Sequence, residues 1–292
     1  MQSSKTIETA VSNATGLAFS IEKSRALGGG CINAAHVIEG NGQRYFVKLN
    51  HAGRVDMFAA EAAGLEEILR TAAIRVPHPV ACGESAGEAF LVLEYLAMNG
   101  RGSGAELGRN LAAMHRHTAP QFGWKLDNTI GATPQPNPWT GDWIDFLRDQ
   151  RLAHQFRLAA QNGYGGNLQR KGESLLARLD EFFTGHQPAP SLLHGDLWGG
   201  NAAYLQSGEP VIFDPAVYYG DREADLAMTE LFGGFPADFH AAYHETWPLD
   251  EGYPVRKTLY NLYHVLNHAN LFGGGYARQA ESMLDRLLAE IN

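Results

Sequence analysis

The chain has 292 residues, of which 45% are hydrophobic and 19% are charged, and its formal net charge is −9. This length gives one large or two modest domains with a real core, and the negative charge argues against nucleic acid or an anionic membrane as the main partner. The net charge is still compatible with a small anionic ligand, because a few local cations and main-chain N–H groups can bind one. Two cysteines, a polar N-terminus and the lack of any run of ~20 apolar residues predict a reduced, cytoplasmic protein. The oligomeric state is not readable from the sequence.

The first third of the chain predicts an antiparallel sheet with one main helix. Helices are predicted over residues 1–13 and 57–71, and strands over 18–26, 34–38, 44–49, 80–83 and 89–96. Asn41-Gly42 marks a hairpin turn because both residues tolerate a positive φ, and residues 85–87 mark a second turn. These elements form a small α/β lobe.

Three glycines, Gly28, Gly29 and Gly30, join the first two predicted strands. Their N–H groups can approach phosphate oxygens without hindrance from side chains, which makes them candidates for ATP contacts. A plain turn is the alternative, since the chain has 33 glycines and a second triple at residues 273–275. The spacing matches neither the Rossmann nor the Walker motif. The neighbouring Cys31 is either a small buried residue or a thiol whose oxidation would distort this turn.

Lys48 stands between apolar neighbours in a predicted strand, and Glu61 follows thirteen residues later on the predicted helix. A buried ammonium is costly unless it is paired. If the strand faces a cleft, Lys48 can reach the α- and β-phosphates of ATP while Glu61 holds it in place. In the alternative interpretation, Lys48 extends to solvent from an edge strand and Glu61 is solvated.

A glycine-rich polar stretch at residues 97–104 predicts a domain boundary, with a nucleotide-binding lobe at 1–96 and a catalytic lobe at 97–292. Glu94, Tyr95 and Leu96 lie directly before this boundary. A strand that leaves a cleft here would offer main-chain groups to the edge of adenine. Beyond it, helices are predicted over 103–117, 143–161, 171–183, 225–232, 239–247, 255–272 and 276–291, with a long loop at 118–141.

The stretch from residue 191 to residue 214 carries the strongest chemical pattern. An apolar run leads to His194-Gly195-Asp196, Asn201 follows five residues later, and Asp214 ends a short apolar strand. The D-x-x-x-x-N spacing matches a kinase catalytic loop, and Asp214 stands where the magnesium-binding aspartate of such enzymes stands. Asp196 is therefore predicted to accept the proton of the attacking hydroxyl, and Asn201 and Asp214 are predicted to bind Mg²⁺.

Each of these residues also has a purely structural interpretation, as a turn aspartate, a helix cap or the end of a strand. A hydrolytic metal site at His194 and Asp196 is a weaker rival, because neither residue belongs to an H-x-x-x-H motif or a cysteine cluster. His194 is predicted to support the loop. Asp225 either caps a helix or accepts hydrogen bonds from the loop's main chain.

Few features of the sequence indicate which residues form the pocket for the phosphate acceptor. The predicted helix at 255–272 has a polar stripe that contains Tyr260, His264, Asn267 and His268, which either faces solvent or forms a wall that recognises a sugar. Trp198, within the catalytic loop, is either a core residue or a surface that stacks on the acceptor. We therefore list Trp198, His264, Asn267 and His268 as candidate substrate contacts.

The chain resembles the fructosamine kinase family, the ketosamine-3-kinases, which are related to aminoglycoside and choline kinases. The most specific segments are L-H-G-D-L-W-G-G-N at 193–201 and F-D-P-A-V-Y-Y-G-D-R-E-A-D-L-A-M at 213–228. Further matching segments are L-F-G-G-F at 231–235, Y-N-L-Y-H at 260–264 and L-N-H at 266–268.

The resemblance implies a two-lobed, protein-kinase-like α+β fold with a small antiparallel sheet in the N-terminal lobe and a mostly helical C-terminal lobe. It also implies ATP- and Mg²⁺-dependent phosphorylation of the 3-hydroxyl of a ketosamine, in a deglycation or repair role. An aminoglycoside- or choline-type kinase is the alternative within this fold, and a catalytically silent nucleotide-binding protein is the alternative from a different functional class. The family does not fix whether fructosamines or ribulosamines are preferred, or whether the amine is free or protein-bound.

Overall fold

The computed structural model describes residues 4–28 and 32–291. The first elements in chain order are α1 (Ser4–Thr15), β1 (Lys23–Leu27), β2 (Ala34–Gly40), β3 (Gln43–His51), α2 (Val55–Thr71), β4 (Pro79–Ser85) and β5 (Glu88–Glu94). They are followed by α3 (Gly104–His115), β6 (Asn128–Ile130), β7 (Thr133–Gln135), α4 (Trp143–Phe146), α5 (Ala153–Gln161), α6 (Asn167–Leu176) and β8 (Ser191–Leu193). The last are β9 (Ala202–Tyr204), β10 (Pro210–Ile212), β11 (Tyr218–Gly220), α7 (Glu223–Leu231), α8 (Ala237–Thr246), α9 (Tyr253–Phe272) and α10 (Tyr276–Glu290).

The described residues form two compact units. The first contains the chain up to Gly102 together with Ala202–Pro215, and the second contains Ser103–Asn201 and Ala216–Asn292. The sequence predicts a single boundary along the chain, between residues 96 and 97. In the structure, the chain re-enters the first unit for the fourteen residues Ala202–Pro215, which include Asp214.

The first unit is built on a five-stranded antiparallel sheet in the order β1-β2-β3-β5-β4. Two-residue turns at Asn41-Gly42 and Ala86-Gly87 connect neighbouring strands, and all four residues have a positive φ, between 52° and 83°. Such turns match the right-handed twist of a hairpin, which is why Asn-Gly was a reliable signal here. β3 is flanked by β2 and β5, so it is a central strand and not an edge.

Alternation along β3 places its side chains on two faces of the sheet. Tyr45, Val47 and Leu49 join Ile7 and Val11 of α1 in one apolar cluster. Lys48 therefore lies on the opposite face, where α2 packs.

The hairpin of β9 and β10 is tied to the first unit by main-chain hydrogen bonds. The N–H of Ile212 donates to the carbonyl of Arg75 at 3.0 Å, and the N–H of Gly100 donates to the carbonyl of Tyr204 at 3.0 Å. This attachment places Asp214, two residues after β10, within the first unit.

The second unit is mostly helical. Ser103 caps α3 by accepting a hydrogen bond from the N–H of Glu106, α3 packs on α8, and α9 packs on α7, α5 and α10. A π-helical segment at Leu147–Leu152 separates α4 from α5. The short strands β8 and β11 pair antiparallel, with Leu193 opposite Tyr218.

The predicted α+β fold is confirmed. Two local expectations differ from the structure. The predicted strand at 18–26 is shorter and later, as β1, and the predicted loop at 118–141 contains the hairpin of β6 and β7 with the buried residues Trp124, Ile130 and Asn137. Gly29, Gly30 and Cys31 lie outside the described residues, and Gly28 directly follows β1. None of the described helices is both long and apolar enough to span a bilayer.

Candidate functional site

Lys48, Glu61 and Asp214 form a buried ion-pair cluster in the first unit. The ammonium of Lys48 lies 2.6 Å from Oε1 of Glu61 and 2.6 Å from Oδ1 of Asp214. Lys48 is 5% exposed, whereas the side chain of Asp214 is 45% exposed. The edge-strand alternative for Lys48 is thus wrong, and the pair with Glu61 is present. The contact with Asp214 was not expected.

The electrostatics of this cluster keep Lys48 charged. Burial alone would lower the pKa of its ammonium, but the carboxylates of Asp214 and Glu61 outweigh that effect and raise the pKa above its usual range. Asp214 holds its position with a φ of 57°, a left-handed conformation that costs an L-residue roughly 1–2 kcal/mol. The ion pair with Lys48 offsets part of that strain.

Glu94 ends β5, and its side chain is used inside the first unit. Its carboxylate pairs with Arg75 at 2.5 Å and accepts a hydrogen bond from the N–H of His78. The N–H of Glu94 donates to the carbonyl of His78. For Tyr95 and Leu96, no main-chain hydrogen bond is present within the described ranges, so their main-chain groups fit the predicted contact with adenine better than those of Glu94.

The loop from His194 to Asn201 lies in the second unit, directly after β8. Gly195 makes its sharp turn with a φ of 81°, and a Cβ at this position would lie 2.1 Å from the carbonyl oxygen of Ala216. Only glycine fits both restraints. The glycine between His194 and Asp196 is therefore a steric requirement of the loop.

Asp225, in the first turn of α7, holds this turn by its carboxylate. Oδ2 accepts a hydrogen bond from the N–H of His194 at 2.7 Å, and Oδ1 accepts one from the N–H of Gly195 at 2.8 Å. Nε2 of His115 lies 3.1 Å from Oδ2. Although burial raises the pKa of Asp225, His115 and these loop N–H groups outweigh it and lower the pKa below its usual value. Of its two predicted roles, support of the loop is the one that these hydrogen bonds describe.

Asp196 and Asn201 are locked to each other. The amide nitrogen of Asn201 donates to the main-chain carbonyl of Asp196 at 2.9 Å, and the N–H of Asp196 donates to Nδ1 of His194 at 3.3 Å. Asn201 is 6% exposed. Its Oδ1 makes no hydrogen bond within the described residues, and amide oxygens are among the ligands of hard cations. Carboxylate and amide oxygens at Asn201 and Asp214 thus fit the donor chemistry of Mg²⁺.

Trp198 is half exposed at the outer side of the catalytic loop. It is 42% exposed, and a Cβ on Gly200 would lie 2.2 Å from its ring. The ring therefore lies across Gly200, and a larger residue there would displace it. The core interpretation of Trp198 is wrong, because a large part of its indole faces solvent.

The polar stripe of α9 is largely buried, which contradicts its solvent-facing interpretation. Asn267 is 3% exposed and bonds to Gln155 and to the carbonyl of Ile130, while Tyr260 donates to Asp221 at 2.5 Å. Burial and the nearby His268 lower the pKa of His264 to about 3, so its imidazole is neutral. As candidate substrate contacts, His264 and Asn267 are thus enclosed in the second unit.

His268 is the partly exposed member of that stripe. Its ring packs among Phe232, Phe272 and Tyr276, with ring centroids 4.9 to 5.6 Å apart. Nδ1 donates to the carbonyl of His264 at 2.8 Å. In the neutral imidazole this leaves Nε2 as a hydrogen-bond acceptor.

Several supporting residues escaped the sequence analysis. His115 links Asp225 to Tyr243. Gln135 of β7 donates to the carbonyl of Ala216, and Arg151 in the π-helical segment is 1% exposed and packs over the ring of Tyr218. None lies in a local motif, and Arg151 directly follows the polar residues Arg148, Asp149 and Gln150, so nothing in the local sequence marks it as buried.

The chain is similar in sequence to known kinases along nearly its whole length. The sequence model described as fructosamine kinase matches residues 3–290. A probable ketoamine kinase of Synechocystis is 52% identical over 288 residues, which is 97% of this chain and 96% of that protein. A chloroplastic protein-ribulosamine 3-kinase of Arabidopsis thaliana is 44% identical and covers 94% of this chain and 85% of its own length.

Solved structures show the same relationship in three dimensions. A crystal structure described as a fructosamine-3-kinase of Haemophilus somnus has a TM-score of 0.89 and 30% identity, covering 97% of this chain and 96% of that one. The choline kinase of Streptococcus pneumoniae has a TM-score of 0.66 at 14% identity, covering 98% of both chains. At that identity the likeness shows a shared kinase-like fold alone.

Proposed function

The chain belongs to the fructosamine kinase family, and on that premise we propose that it is an ATP- and Mg²⁺-dependent kinase that phosphorylates the 3-hydroxyl of ketosamines. The observation that carries this proposal is the catalytic loop itself. Asp225 fixes the turn at His194 and Gly195, and Asn201 is locked to Asp196. A loop held at both ends keeps a general base in place while a substrate is exchanged.

Asp196 is the proposed general base. Its main chain is held from both sides by hydrogen bonds to His194 and Asn201, so its carboxylate can accept the proton of the sugar hydroxyl as that oxygen attacks the γ-phosphate. Lys48, as a buried cation, would hold the phosphates of ATP, with Glu61 fixing its ammonium. Main-chain groups near Tyr95 and Leu96, with the glycines from Gly28 to Gly30, complete the proposed nucleotide contacts.

Asn201 and Asp214 are the proposed ligands of Mg²⁺, which when bound would neutralise charge on the β- and γ-phosphates. Asp214 already shares its Oδ1 with Lys48. Loss of its carboxylate would therefore affect both nucleotide and metal binding.

The proposed acceptor contacts are Trp198 and His268, whose rings are partly exposed in the second unit. An exposed indole can pack on the apolar face of a sugar, and Nε2 of His268 can accept a hydrogen bond from a hydroxyl. His264 and Asn267 would act behind them, by orienting α9. The names of the relatives refer to ketoamines and ribulosamines, which supports a deglycating role.

An ATP-consumption assay with fructoselysine, ribuloselysine, kanamycin and choline tests the substrate class. Turnover with the two ketosamines is expected. Activity confined to kanamycin or choline would refute the substrate assignment and favour the aminoglycoside- or choline-type alternative. Absence of turnover with all four, together with intact ATP binding, would favour a silent nucleotide-binding protein.

Asp196→Asn tests the assignment of the base. It should leave folding and ATP binding close to those of the parent protein and lower kcat by a factor of ~10² to 10⁴. Asp180→Asn is the matched control, because Asp180 is exposed in the same unit. If Asp196→Asn retained near-parental kcat, the base assignment would be wrong even if the substrate class were right.

A further inference from the structure

The second unit contains a pocket that the proposed reaction does not use. Its volume is about 310 Å³, which is at the lower end of the range for small-molecule sites. It is lined by the end of α7 and by one face each of α9 and α10. The lining residues are Leu231, Lys257, Thr258, Asn261, Gln279, Ser282, Met283 and Arg286.

Helical spacing explains why these side chains converge. On α9 the lining positions 257, 258 and 261 share one face, and on α10 the positions 279, 282, 283 and 286 recur at steps of three and four. Because α9 and α10 pack against each other, the two polar rows meet along one groove. Leu231 and Met283 supply its apolar floor.

The charge of this pocket is positive. Lys257 and Arg286 line it, and no carboxylate is among the lining residues. The ammonium of Lys257 contacts Oε2 of Glu230 at 2.6 Å. For Arg286 no ion pair occurs in the part of the chain that the structure describes, and the residue is exposed. One guanidinium, with five donors in a planar fork, is thus available to an anion.

Asn261 supplies an independent observation. It is 6% exposed, yet its Oδ1 is buried with no hydrogen-bond partner among residues 4–28 and 32–291. An unsatisfied buried acceptor costs about 1–3 kcal/mol, and such atoms in native proteins are usually satisfied by a bound molecule or water. Asn261 lines the same pocket as Arg286, but its Oδ1 is closed to solvent, so a ligand there could donate a hydrogen bond to it only after a neighbouring side chain moves aside.

We propose that this pocket binds a small anion that also carries hydroxyl groups, with a sugar phosphate as the representative class. The phosphate would bind the guanidinium of Arg286 beside Lys257, and movement of a neighbouring side chain would open Oδ1 of Asn261 to a sugar hydroxyl. Thr258, Gln279 and Ser282 add neutral polar groups for the remaining hydroxyls. The assignment is independent of the kinase reaction, since none of the lining residues belongs to the proposed active site.

Isothermal titration calorimetry of the full chain with ribose 5-phosphate, ribose and inorganic phosphate tests this site. Ribose 5-phosphate should bind saturably with one equivalent per chain and a Kd on the order of 1 mM. Inorganic phosphate should bind more weakly, and ribose alone should give no measurable heat. No saturable binding of ribose 5-phosphate at ~10 mM would overturn the proposal.

Paired variants locate the binding. Arg286→Gln should weaken ribose 5-phosphate binding at least ~10-fold. Arg278→Gln is the matched control, because Arg278 is an exposed arginine on α10 that does not line the pocket, and it should leave the Kd unchanged. Equal weakening by both variants would indicate only a general effect of surface charge and would refute the site.

Trp198→Ala separates this pocket from the proposed acceptor site. Ribose 5-phosphate binding should survive this change if the α9–α10 pocket is the site. Binding that disappears with Trp198→Ala but persists with Arg286→Gln would assign the sugar phosphate to the acceptor site and overturn the proposal. Because the readout is binding, this result does not depend on whether the kinase activity is found.

Discussion

Asp225→Asn replaces one carboxylate oxygen by an NH₂ group, yet it should strongly destabilise the protein. The carboxylate of Asp225 accepts three buried hydrogen bonds, from the N–H groups of His194 and Gly195 and from Nε2 of His115. Asparagine keeps one acceptor oxygen and turns an NH₂ group toward at least one of these donors. One or two buried N–H groups then lack an acceptor, at about 1–3 kcal/mol each.

The expected loss in the free energy of unfolding is therefore about 1–6 kcal/mol, out of the 5–15 kcal/mol typical of a folded protein. Urea denaturation followed by circular dichroism measures it, provided that the m-value is unchanged. Asp180→Asn is the matched control, because it is the same substitution at an exposed residue of the same unit, and it should cost under ~0.5 kcal/mol. A loss below ~1 kcal/mol for Asp225→Asn would refute the argument that this carboxylate holds the loop.

The pH dependence adds a second test of the same residue. The pKa of Asp225 is lowered in the folded state, so its stabilising contribution is present above the ordinary aspartate pKa of 3.8 and is lost as the pH falls through the folded value. The stability difference between the parent protein and Asp225→Asn should thus be full at neutral pH and should shrink in acid. A difference that grows as the pH falls would contradict the sign.

Two further predictions concern neighbouring structure. Gly195→Ala should lower the free energy of unfolding by ~2 kcal/mol or more and should also lower kcat, because its Cβ would lie 2.1 Å from the carbonyl oxygen of Ala216 at a φ of 81°. Near-parental values in denaturation and activity assays would refute the steric requirement. His186 bonds to Asp221 and Asp250 through its two ring nitrogens at 2.7 Å each, and although burial lowers its pKa, Asp221 outweighs burial and raises it. His186→Gln should therefore lower Tm most below pH ~6.5, with a difference that diminishes as the pH rises through the folded pKa; a pH-independent difference in Tm would contradict this assignment.

Local patterns predicted much of the first unit and part of the site. The turns at Asn41-Gly42 and Ala86-Gly87 and the apolar face of α2 depend on nearest neighbours and helical spacing, which the sequence displays directly. Lys48 with Glu61 was found because a lysine between apolar strand residues needs a partner.

Contacts between distant residues were not predictable in the same way. The ion pair of Lys48 with Asp214 joins residues 166 positions apart, and His115 reaches Asp225 across 110. On α9, the sequence left open whether the polar residues face solvent, because their partners, such as Gln155 and the carbonyl of Ile130, come from other elements. Periodicity reports which residues share a face, but not what covers that face.

The interrupted first unit has a consequence for synthesis on the ribosome. When Gly102 has been made, the sheet and α2 are complete, but the hairpin of β9 and β10 and Asp214 are still to come. At typical elongation rates, the residues between Gly102 and Pro215 take on the order of ten seconds to translate. During that interval the buried ammonium of Lys48 has Glu61 as its single carboxylate partner within this unit, so the nascent lobe should remain less stable, and more open to proteases, until the chain returns to it.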